Sequence, residues 1–264
     1  MTLTLKRPAL RYHGGKWKIA PWIISHFKEH VCYVEPFAGG ASVLLRKPEA
    51  KCEVLNDLDG EVVNFWKILR TQTEEFVRQV ELTPFSREEV DLAREEASDD
   101  LERARRFFIR SWQSRGGATA KYAGGWRFVN GQSRGNVPAR DWSRTESLWA
   151  AAARLKSVQI EHDDAISVIQ RFDRPKTLFY VDPPYIGESR TRRWAGNAYN
   201  EEVGEEFHVK LAAILEATKG MVVLSGYASP LYDRLYSHWE RKEHLTGTDG
   251  GDSKVECLWI KLPR

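Results

Sequence analysis

The sequence predicts an α/β fold with a mostly parallel sheet, interrupted at roughly residues 75–145 by a basic segment. Apolar strand patterns alternate with helical patterns along most of the chain, as they do in α/β sheets. Two of these strands run directly into tight turns, a Gly-Gly turn at 39–40 and a Pro-Pro turn at 183–184. Because ligands of open α/β sheets bind at the carboxyl ends of the strands, we expect a site at the edge where the Pro-Pro turn ends its strand.

Composition places the chain among soluble globular proteins. Of its 264 residues 42% are hydrophobic and 29% charged, and no apolar run approaches the about 20 residues of a membrane helix. Residues 1–11 lack the apolar region of a signal peptide. The three cysteines are far apart in sequence and form no CxxC pair, so we expect reduced thiols in a cytoplasmic protein with no metal site.

The first third of the chain contains a glycine loop, two strands and their helices. The loop 11–16 precedes a helical pattern at 19–27, and residues 32–45 are typical of a strand, a tight glycine turn and a helix. Residues 52–57 predict a second strand that ends in an acid, followed by a helix at about 60–73. Asp57 stands where nucleotide-binding folds place a carboxylate on ribose hydroxyls, although a helix cap also fits this position.

The middle of the chain carries the positive charge. After a helical pattern of alternating charges at 84–106, residues 107–140 contain six basic and no acidic residues, leaving 34 basic against 37 acidic residues elsewhere. Glycines and aromatic residues are interleaved with these cations. Such a composition favours contact with phosphates and unstacked bases, and a flexible surface insertion is the alternative.

The last part of the chain predicts the remaining elements. Helices are expected at about 144–155, 165–171, 202–217 and 231–236, and strands at 158–161, 178–181, 221–225 and twice within 239–262. The strand at 178–181 stops at Asp182-Pro183-Pro184-Tyr185, because prolines donate no backbone hydrogen bond and fix φ. A carboxylate and an aromatic ring therefore stand at the sheet edge, unless this is an ordinary strand-ending turn.

Three motifs in this order resemble the Dam-like (D12-class) DNA adenine N6-methyltransferases over essentially the whole chain. They are Gly14-Gly-Lys16, Val34-Glu-Pro-Phe-Ala-Gly-Gly-Ala-Ser-Val-Leu-Leu45 and Asp182-Pro-Pro-Tyr185. The resemblance implies a Rossmann-like S-adenosylmethionine-dependent methyltransferase sheet from 1–75 and 146–264. It also implies an inserted, mainly helical or loop target-recognition domain at 76–145. The glycine motif here is Ala-Gly-Gly-Ala where the family has Gly-Ala-Gly.

The resemblance also implies the cofactor site. S-adenosylmethionine would lie across the carboxyl edge of the sheet, with Asp57 on its ribose and Asp164, or Asp163 in a shifted register, near its adenine. Tyr12 stands where the family more typically has Trp. The implied cofactor-binding residues are Tyr12, Lys16, Glu35, Pro36, Phe37, Ala38, Gly39, Asp57, Asp164 and Asp182.

The implied reaction is methylation of the exocyclic amine of an adenine rotated out of duplex DNA. Asp182 and the Pro183 carbonyl would accept hydrogen bonds from the amine, Pro184 would hold the turn, and Tyr185 would stack on the base. Ring-carbon methylation of cytosine would need a Pro-Cys pair, which the sequence lacks. Cytosine N4 methylation, usually with Ser in place of Asp182, and a catalytically silent DNA-binding protein are the alternatives.

Double-stranded DNA is the expected partner of a monomer, with no membrane contact, and a cognate restriction endonuclease is left open. Arginine reads guanine edges while lysine more often holds phosphate. The loop at 187–193 would hold the flipped nucleotide's phosphates, or is simply a solvated basic loop. The DNA-binding candidates are Arg115, Lys121, Tyr122, Arg127, Arg134, Arg190, Arg192 and Arg193.

Overall fold

Seven strands form one sheet in the residues that the computed structural model describes, which are 5–115, 117, 125–131, 137–185, 204–247 and 253–263. The strands are β1 (Cys32–Glu35), β2 (Cys52–Asn56), β3 (Val158–Glu161), β4 (Thr177–Val181), β5 (Met221–Gly226), β6 (Glu240–Gly247) and β7 (Ser253–Lys261). Their order is β3-β2-β1-β4-β5-β7-β6. The first five strands are parallel, and β7 is antiparallel to both of its neighbours.

Ten α-helices accompany the sheet within the same described ranges. They are α1 (Ala20–Ile24), α2 (Gly60–Thr71), α3 (Thr73–Leu82), α4 (Arg87–Leu92), α5 (Asp100–Gln113), α6 (Pro138–Trp142), α7 (Glu146–Arg154), α8 (Ala165–Phe172), α9 (Glu205–Ala217) and α10 (Pro230–Leu235). In the described part of the chain no helix has the length and apolarity needed to cross a membrane.

The central strands are covered on both faces, which explains their continuous apolar sequence. Every residue of β4 and β5 is buried. Successive side chains of β4 alternate between two hydrophobic clusters, with Leu178 and Tyr180 in one and Phe179 and Val181 in the other. Helices α2, α5 and α7 contribute to the first cluster, and α8, α9 and α10 to the second. The predicted α/β sheet is confirmed.

The strand order reverses between β1 and β4. On one side of this pair the sheet continues to β2 and β3, and on the other to β5. A crevice opens at the carboxyl edge of a sheet where the order reverses, because the following connections leave in opposite directions. The two turns singled out in the sequence follow β1 and β4, so both lie at this crevice.

The helix expected after the glycine turn does not form. Residues 42–46 make only turns. The amide of Leu44 donates to the Glu35 carboxylate (2.7 Å) instead of to a carbonyl in the preceding turn. Pro48 then prevents continuation, because it has no amide hydrogen and disfavours helical backbone before it. The pattern at 84–106 likewise forms two helices, α4 and α5, instead of one.

The helical part of the segment at 76–145 packs on the sheet-covering helix α2. Phe107 and Phe108 of α5 contact Phe65 of α2, with ring centroids 5.9 and 6.1 Å apart. Trp142 of α6 contacts Phe108 at 5.3 Å. These side chains belong to the same hydrophobic cluster as residues of β1 and β4. The division into a catalytic domain and an insertion at 76–145 stays a prediction.

A buried ion cluster anchors the amino-terminal half of the sheet. The Glu53 carboxylate on β2 accepts hydrogen bonds from Lys47 (2.5 Å) and Arg154 (2.5 and 2.7 Å), and only 1% of its side chain is exposed. Burial raises the pKa of Glu53, but the hydrogen bonds from Arg154 and Lys47 more than reverse this and lower it overall. The cluster connects the chain after the glycine turn to α7 and β2.

Replacing Glu53 by Gln should lower the free energy of unfolding by about 3–5 kcal/mol, because two buried cations lose their shared counter-charge. Urea unfolding at neutral pH measures the change. Glu75→Gln is the matched control, since Glu75 pairs with Arg78 on an exposed helix face and its loss should leave the unfolding midpoint unchanged. Equal effects of the two substitutions would contradict a stabilising role of the cluster.

Candidate active site

An open cleft lies at the crevice between β1 and β4. Its walls come from the loop 12–16, the glycine turn and the ends of β2 and β4. Of the site residues predicted from sequence, those that line it are Tyr12, Lys16, Glu35, Phe37, Ala38, Gly39, Asp57, Asp182 and Pro184. The fold therefore brings the three sequence motifs into a single cavity.

The glycine turn, residues 38–41, fits closely against the ring of Tyr12. Gly39 has φ +44°, and a Cβ atom there would lie 2.7 Å from Tyr12 Cε1. Only glycine meets both the conformation and this contact without strain. Ala41 also adopts a positive φ of 48°. This left-handed backbone conformation suits the glycine of the family motif, and an alanine that adopts it costs about 1 kcal/mol.

Asp57 follows β2 and holds the turn from the other side. Its Oδ2 accepts a hydrogen bond from the Gly39 amide (2.8 Å), and its Oδ1 accepts one from the Asp59 amide (3.0 Å). Burial raises the pKa of Asp57 to about 6. The side-chain cap of α2 is Asp59, which accepts from the Glu61 amide. Asp57 is therefore not the helix cap, and its carboxylate lies in the cleft.

Glu35 braces the glycine turn from beneath. Its Oε1 accepts hydrogen bonds from the Tyr33 hydroxyl (2.6 Å) and the Leu44 amide (2.7 Å), and the residue is 2% exposed. Burial raises the pKa of this carboxyl to about 7. Through these contacts Glu35 holds in place the backbone that follows the glycine turn.

Asp182 lies at the end of β4 with both oxygens occupied. Oδ1 accepts hydrogen bonds from Lys16 Nζ (2.9 Å) and Ser225 Oγ (2.8 Å), and Oδ2 accepts from Lys16 Nζ (2.8 Å). Ser225 is in turn hydrogen-bonded to the hydroxyl of Tyr180 (3.0 Å). The carboxylate is thus oriented from two sides, and its side chain stays 20% exposed toward the cleft.

Lys16 is a buried cation between two carboxylates. Besides Asp182, its ammonium donates to the Gly14 carbonyl (2.8 Å) and the Tyr185 hydroxyl (2.7 Å) and lies 3.6 Å from Glu256 Oε1. Burial alone would lower the pKa of Lys16, but the charges of Asp182 and Glu256 raise it well above its ordinary value. The sequence predicted that Lys16 contacts the cofactor. The structure shows in addition that its ammonium pairs with Asp182.

The Tyr185 ring stands beside a second tyrosine. Its hydroxyl donates to Glu256 Oε1 (3.3 Å), and its ring centroid lies 4.6 Å from that of Tyr227. Glu256 of β7 is 3% exposed, and burial raises its pKa. Sequence reasoning missed Ser225, Tyr227 and Glu256. Two signals in the sequence could have indicated two of these residues: Ser225 ends an apolar strand pattern, and Glu256 is a single acid inside another strand pattern.

Four predicted residues lie outside this cleft or only border it. Pro36 and Pro183 are buried in the turns, and Tyr185 borders the cleft through its hydroxyl, which accepts a hydrogen bond from the Lys16 ammonium. Asp164 caps α8 by accepting from the Ser167 amide (3.0 Å), and it is exposed. Its neighbour Asp163 pairs with Arg171 (2.6 Å). Neither acid lines the cleft, so a contact with the cofactor's adenine stays a prediction.

Two of the predicted DNA-binding residues, Arg115 and Arg127, lie in the described part of the segment at 76–145. The Arg115 amide donates to the Gly125 carbonyl (3.0 Å), and the Arg127 amide donates to the Gln113 carbonyl (2.8 Å). These backbone hydrogen bonds hold residues 125–127 against the end of α5. The Arg115 guanidinium lies 5.3 Å from the centroid of the half-exposed Phe128 ring. The candidates outside the described residues are Lys121, Tyr122, Arg134, Arg190, Arg192 and Arg193.

Trp126 and Phe128 form a surface platform with a third cation. Their rings stack with centroids 5.7 Å apart, and Arg87 Cζ lies 5.1 Å from the Trp126 centroid. Arg127 Nη1 is buried without a hydrogen-bond partner among the residues that the structure describes.

The described ranges also contain no group of three or more His, Cys, Asp or Glu that could hold a metal ion.

Replacing Lys16 by Met should destabilise the fold in a pH-dependent way. Without the cation the pKa of Glu256 rises further above its unfolded value, so the folded state binds a proton more tightly. The variant is therefore most stable at low pH, and its free energy of unfolding falls as the pH rises through the folded-state pKa of Glu256. We expect a loss of about 3 kcal/mol at pH 8 that shrinks toward pH 5, measured by urea unfolding.

Lys210→Met, on the exposed face of α9, is the control for the loss of a lysine charge. It should leave the stability and its pH dependence unchanged. A pH-independent effect of Lys16→Met would contradict the charge-balancing role of the ammonium.

Comparison with known proteins identifies the family. The model of the D12 class N6 adenine-specific DNA methyltransferases matches residues 12–247. The DNA adenine methylases of Salmonella typhi and Escherichia coli (strain K12) are each 24% identical to this chain, over 262 and 266 residues, covering 94% of this chain and 92% of theirs. That of Serratia marcescens is 28% identical over 197 residues, 70% of this chain and 69% of its own. This chain belongs to the D12 class of N6 adenine-specific DNA methyltransferases.

Proposed function

We propose that this adenine-specific DNA methyltransferase transfers a methyl group from S-adenosylmethionine to the N6 amine of an adenine rotated out of duplex DNA. The observation that carries the proposal is the position of Asp182. Its carboxylate ends β4 in the same cleft as the glycine turn and Asp57, so an acceptor for the amine lies next to a cradle for the cofactor. Positioning is the main contribution that such a site makes to rate.

The cleft residues fit S-adenosylmethionine. The glycine turn lines the cleft, and the missing side chain of Gly39 leaves room for the Tyr12 ring, which lines the same cleft. Asp57 offers a carboxylate to two neighbouring hydroxyls, and Phe37 lines the cleft as an apolar surface. Lys16, Glu35, Pro36, Ala38 and Asp164 are the other predicted contacts. When bound, the cofactor supplies a methyl group already activated by a cationic sulfonium.

The chain's own part of the reaction is to aim the amine. An adenine N6 lone pair is delocalised into the ring and is therefore a poor nucleophile. Asp182 and the Pro183 carbonyl accept the two amino hydrogens, which returns electron density to nitrogen and directs it at the methyl group. Lys16 donates hydrogen bonds to both oxygens of Asp182 and so orients this carboxyl group toward the amine, which finally loses a proton to solvent.

The Tyr185 ring would stack on the displaced base. Its plane is fixed by the hydroxyl contacts with Lys16 and Glu256 and by the Tyr227 ring. Base–aromatic stacking contributes about 1–3 kcal/mol in single-strand binding. This energy offsets part of the cost of unpairing the adenine. Glu256 thus supports both the cation and the stacking surface.

The recognition segment would contact the DNA around the target. Arg115, Arg127 and the exposed Phe128 ring, which stacks on the partly buried Trp126, combine charge with aromatic surface, as phosphate and base contacts require. The other DNA-binding candidates, a monomeric state, a cytoplasmic location and a cognate restriction endonuclease stay predictions. The family match favours adenine over the alternative of cytosine N4 and over a catalytically silent protein.

Asp182→Ala should reduce methyl transfer by roughly 1,000-fold or more, because the amine loses its acceptor, while cofactor and duplex affinities change little. Transfer of labelled methyl to mixed-sequence DNA measures the rate, and calorimetry measures binding. Asp233→Ala, an exposed acid on α10, is the control. Near-normal turnover of the Asp182 variant would exclude this mechanism.

Asp57→Ala should raise the cofactor dissociation constant about 10–100-fold by removing a charged acceptor of the ribose hydroxyls. In the wild type, affinity should also fall as the pH drops below about 6, because Asp57 must lose its proton to bind. Asp59→Ala, which removes the cap of α2 two residues away, should lower stability without changing affinity. Equal affinities of the two variants would assign Asp57 a purely structural role.

Arg127→Ala should weaken duplex binding by roughly tenfold and leave cofactor affinity intact, because one guanidinium contact with DNA is lost. Fluorescence anisotropy with labelled duplexes at a fixed salt concentration measures this. Arg78→Ala removes an exposed arginine of α3 and serves as the control. If both variants bind DNA like the wild type, residues 125–131 do not contact the duplex.

A further inference from the structure

Two cysteines that are far apart in sequence meet at the amino-terminal end of the sheet. Cys32 is the first residue of β1 and Cys52 the first of β2, and the parallel register places them directly opposite each other. Their sulfur atoms are 3.3 Å apart, and both residues are half-buried free cysteines. The third cysteine, Cys257, is fully buried on β7. Nothing in the methyl-transfer mechanism uses this pair.

The two thiols have different surroundings. Cys52 Sγ accepts hydrogen bonds from Cys32 Sγ and from Gln159 Nε2 (3.2 Å) of β3. Cys32 donates its thiol hydrogen, and burial followed by the contact with Cys52 raises its pKa to about 12. Because its raised pKa keeps the Cys32 thiol protonated, Cys32 is a poor nucleophile, and we assign the first attack to Cys52.

The backbone allows the two sulfurs to bond. Neighbouring strands lie about 4.8 Å apart, within the 4.4–6.8 Å range of Cα separations in disulfides. The sulfur atoms are 3.3 Å apart, so each has to move by about 0.6 Å to reach bonding distance. The bond is thus attainable, and because both cysteines are partly exposed it should be reducible.

We propose that Cys32 and Cys52 form a thiol–disulfide exchange site for low-molecular-weight disulfides such as oxidised glutathione, which closes a reversible staple between β1 and β2. The Cys52 thiolate attacks one sulfur of the disulfide and expels a first thiolate. Cys32 then loses its proton and attacks Cys52 in the mixed disulfide, expelling the second. The protein loses two hydrogens, and the small disulfide is reduced to two thiols.

The staple constrains the part of the chain that carries the glycine turn. Residues 33–51 would form a closed loop, which reduces the freedom of the unfolded chain and so stabilises the fold. The bond forms at the amino end of both strands, whereas Gly39 and Asp57 meet beyond their carboxyl ends. Oxidation should therefore stabilise the protein without changing the shape of the cleft.

The test treats the reduced full-length protein with oxidised glutathione and follows intact mass, a peptide map and thermal unfolding. We expect the wild type to lose two hydrogens, to join Cys32 to Cys52, and to gain about 5 °C in Tm. Dithiothreitol should restore the original mass and Tm. Cys32→Ser should stop at a single glutathione adduct on Cys52, with no rise in Tm.

Cys52→Ser is the second variant and should acquire adducts much more slowly than Cys32→Ser, because Cys52 is the attacking sulfur. A lasting glutathione adduct on the wild type, a bond to Cys257, an unreactive wild type or a lowered Tm would each overturn the proposal. None of these readouts depends on methyl transfer, so they are independent of the proposed reaction.

Discussion

The ion pair between Lys16 and Asp182 is the interaction on which the active site depends. A buried charge is tolerated only where opposite charge and hydrogen bonds replace water, and here the ammonium is surrounded by Gly14, Tyr185 and two carboxylates. Because the contacts come from the amino-terminal loop, β4 and β7, one side chain brings together segments up to 240 residues apart in sequence. The orientation of Asp182 and the position of the Tyr185 ring both follow from contacts with this cation.

The second constraint is steric and belongs to the glycine turn. Tyr12 packs so closely on Gly39 that a single methyl group there would displace the ring. The Gly39 amide is fixed by Asp57, and Glu35 fixes the backbone five residues further along. The turn is therefore held rigid by the same acids that the family resemblance assigned to the cofactor. Ala41 shows that this rigidity is sufficient to maintain an alanine at positive φ.

The order of strands and helices could be predicted because parallel strands buried on both faces are continuous apolar runs. Errors arose where a side chain competed with the local pattern, as when Glu35 took the Leu44 amide and left only turns where a helix was expected. The cap of α2 was also beyond prediction, since Asp57 and Asp59 are equivalent in sequence and only the sheet directs Asp57 toward Gly39. The packing of α5 on α2 and of α6 on α5 depends on aromatic contacts that have no local signature.

The sequence by itself determined which chemistry this protein carries. The types and order of the residues in the glycine turn and in Asp182-Pro-Pro-Tyr185 are local properties, readable without a fold. The tertiary structure alone decided their partners. Ser225 and Glu256 reach the site because β5 and β7 pair beside β4, and Cys32 meets Cys52 because β1 and β2 are in register. Contacts of this kind depend on strand order and register, which arise from packing of the whole sheet and leave no mark on any short stretch of sequence.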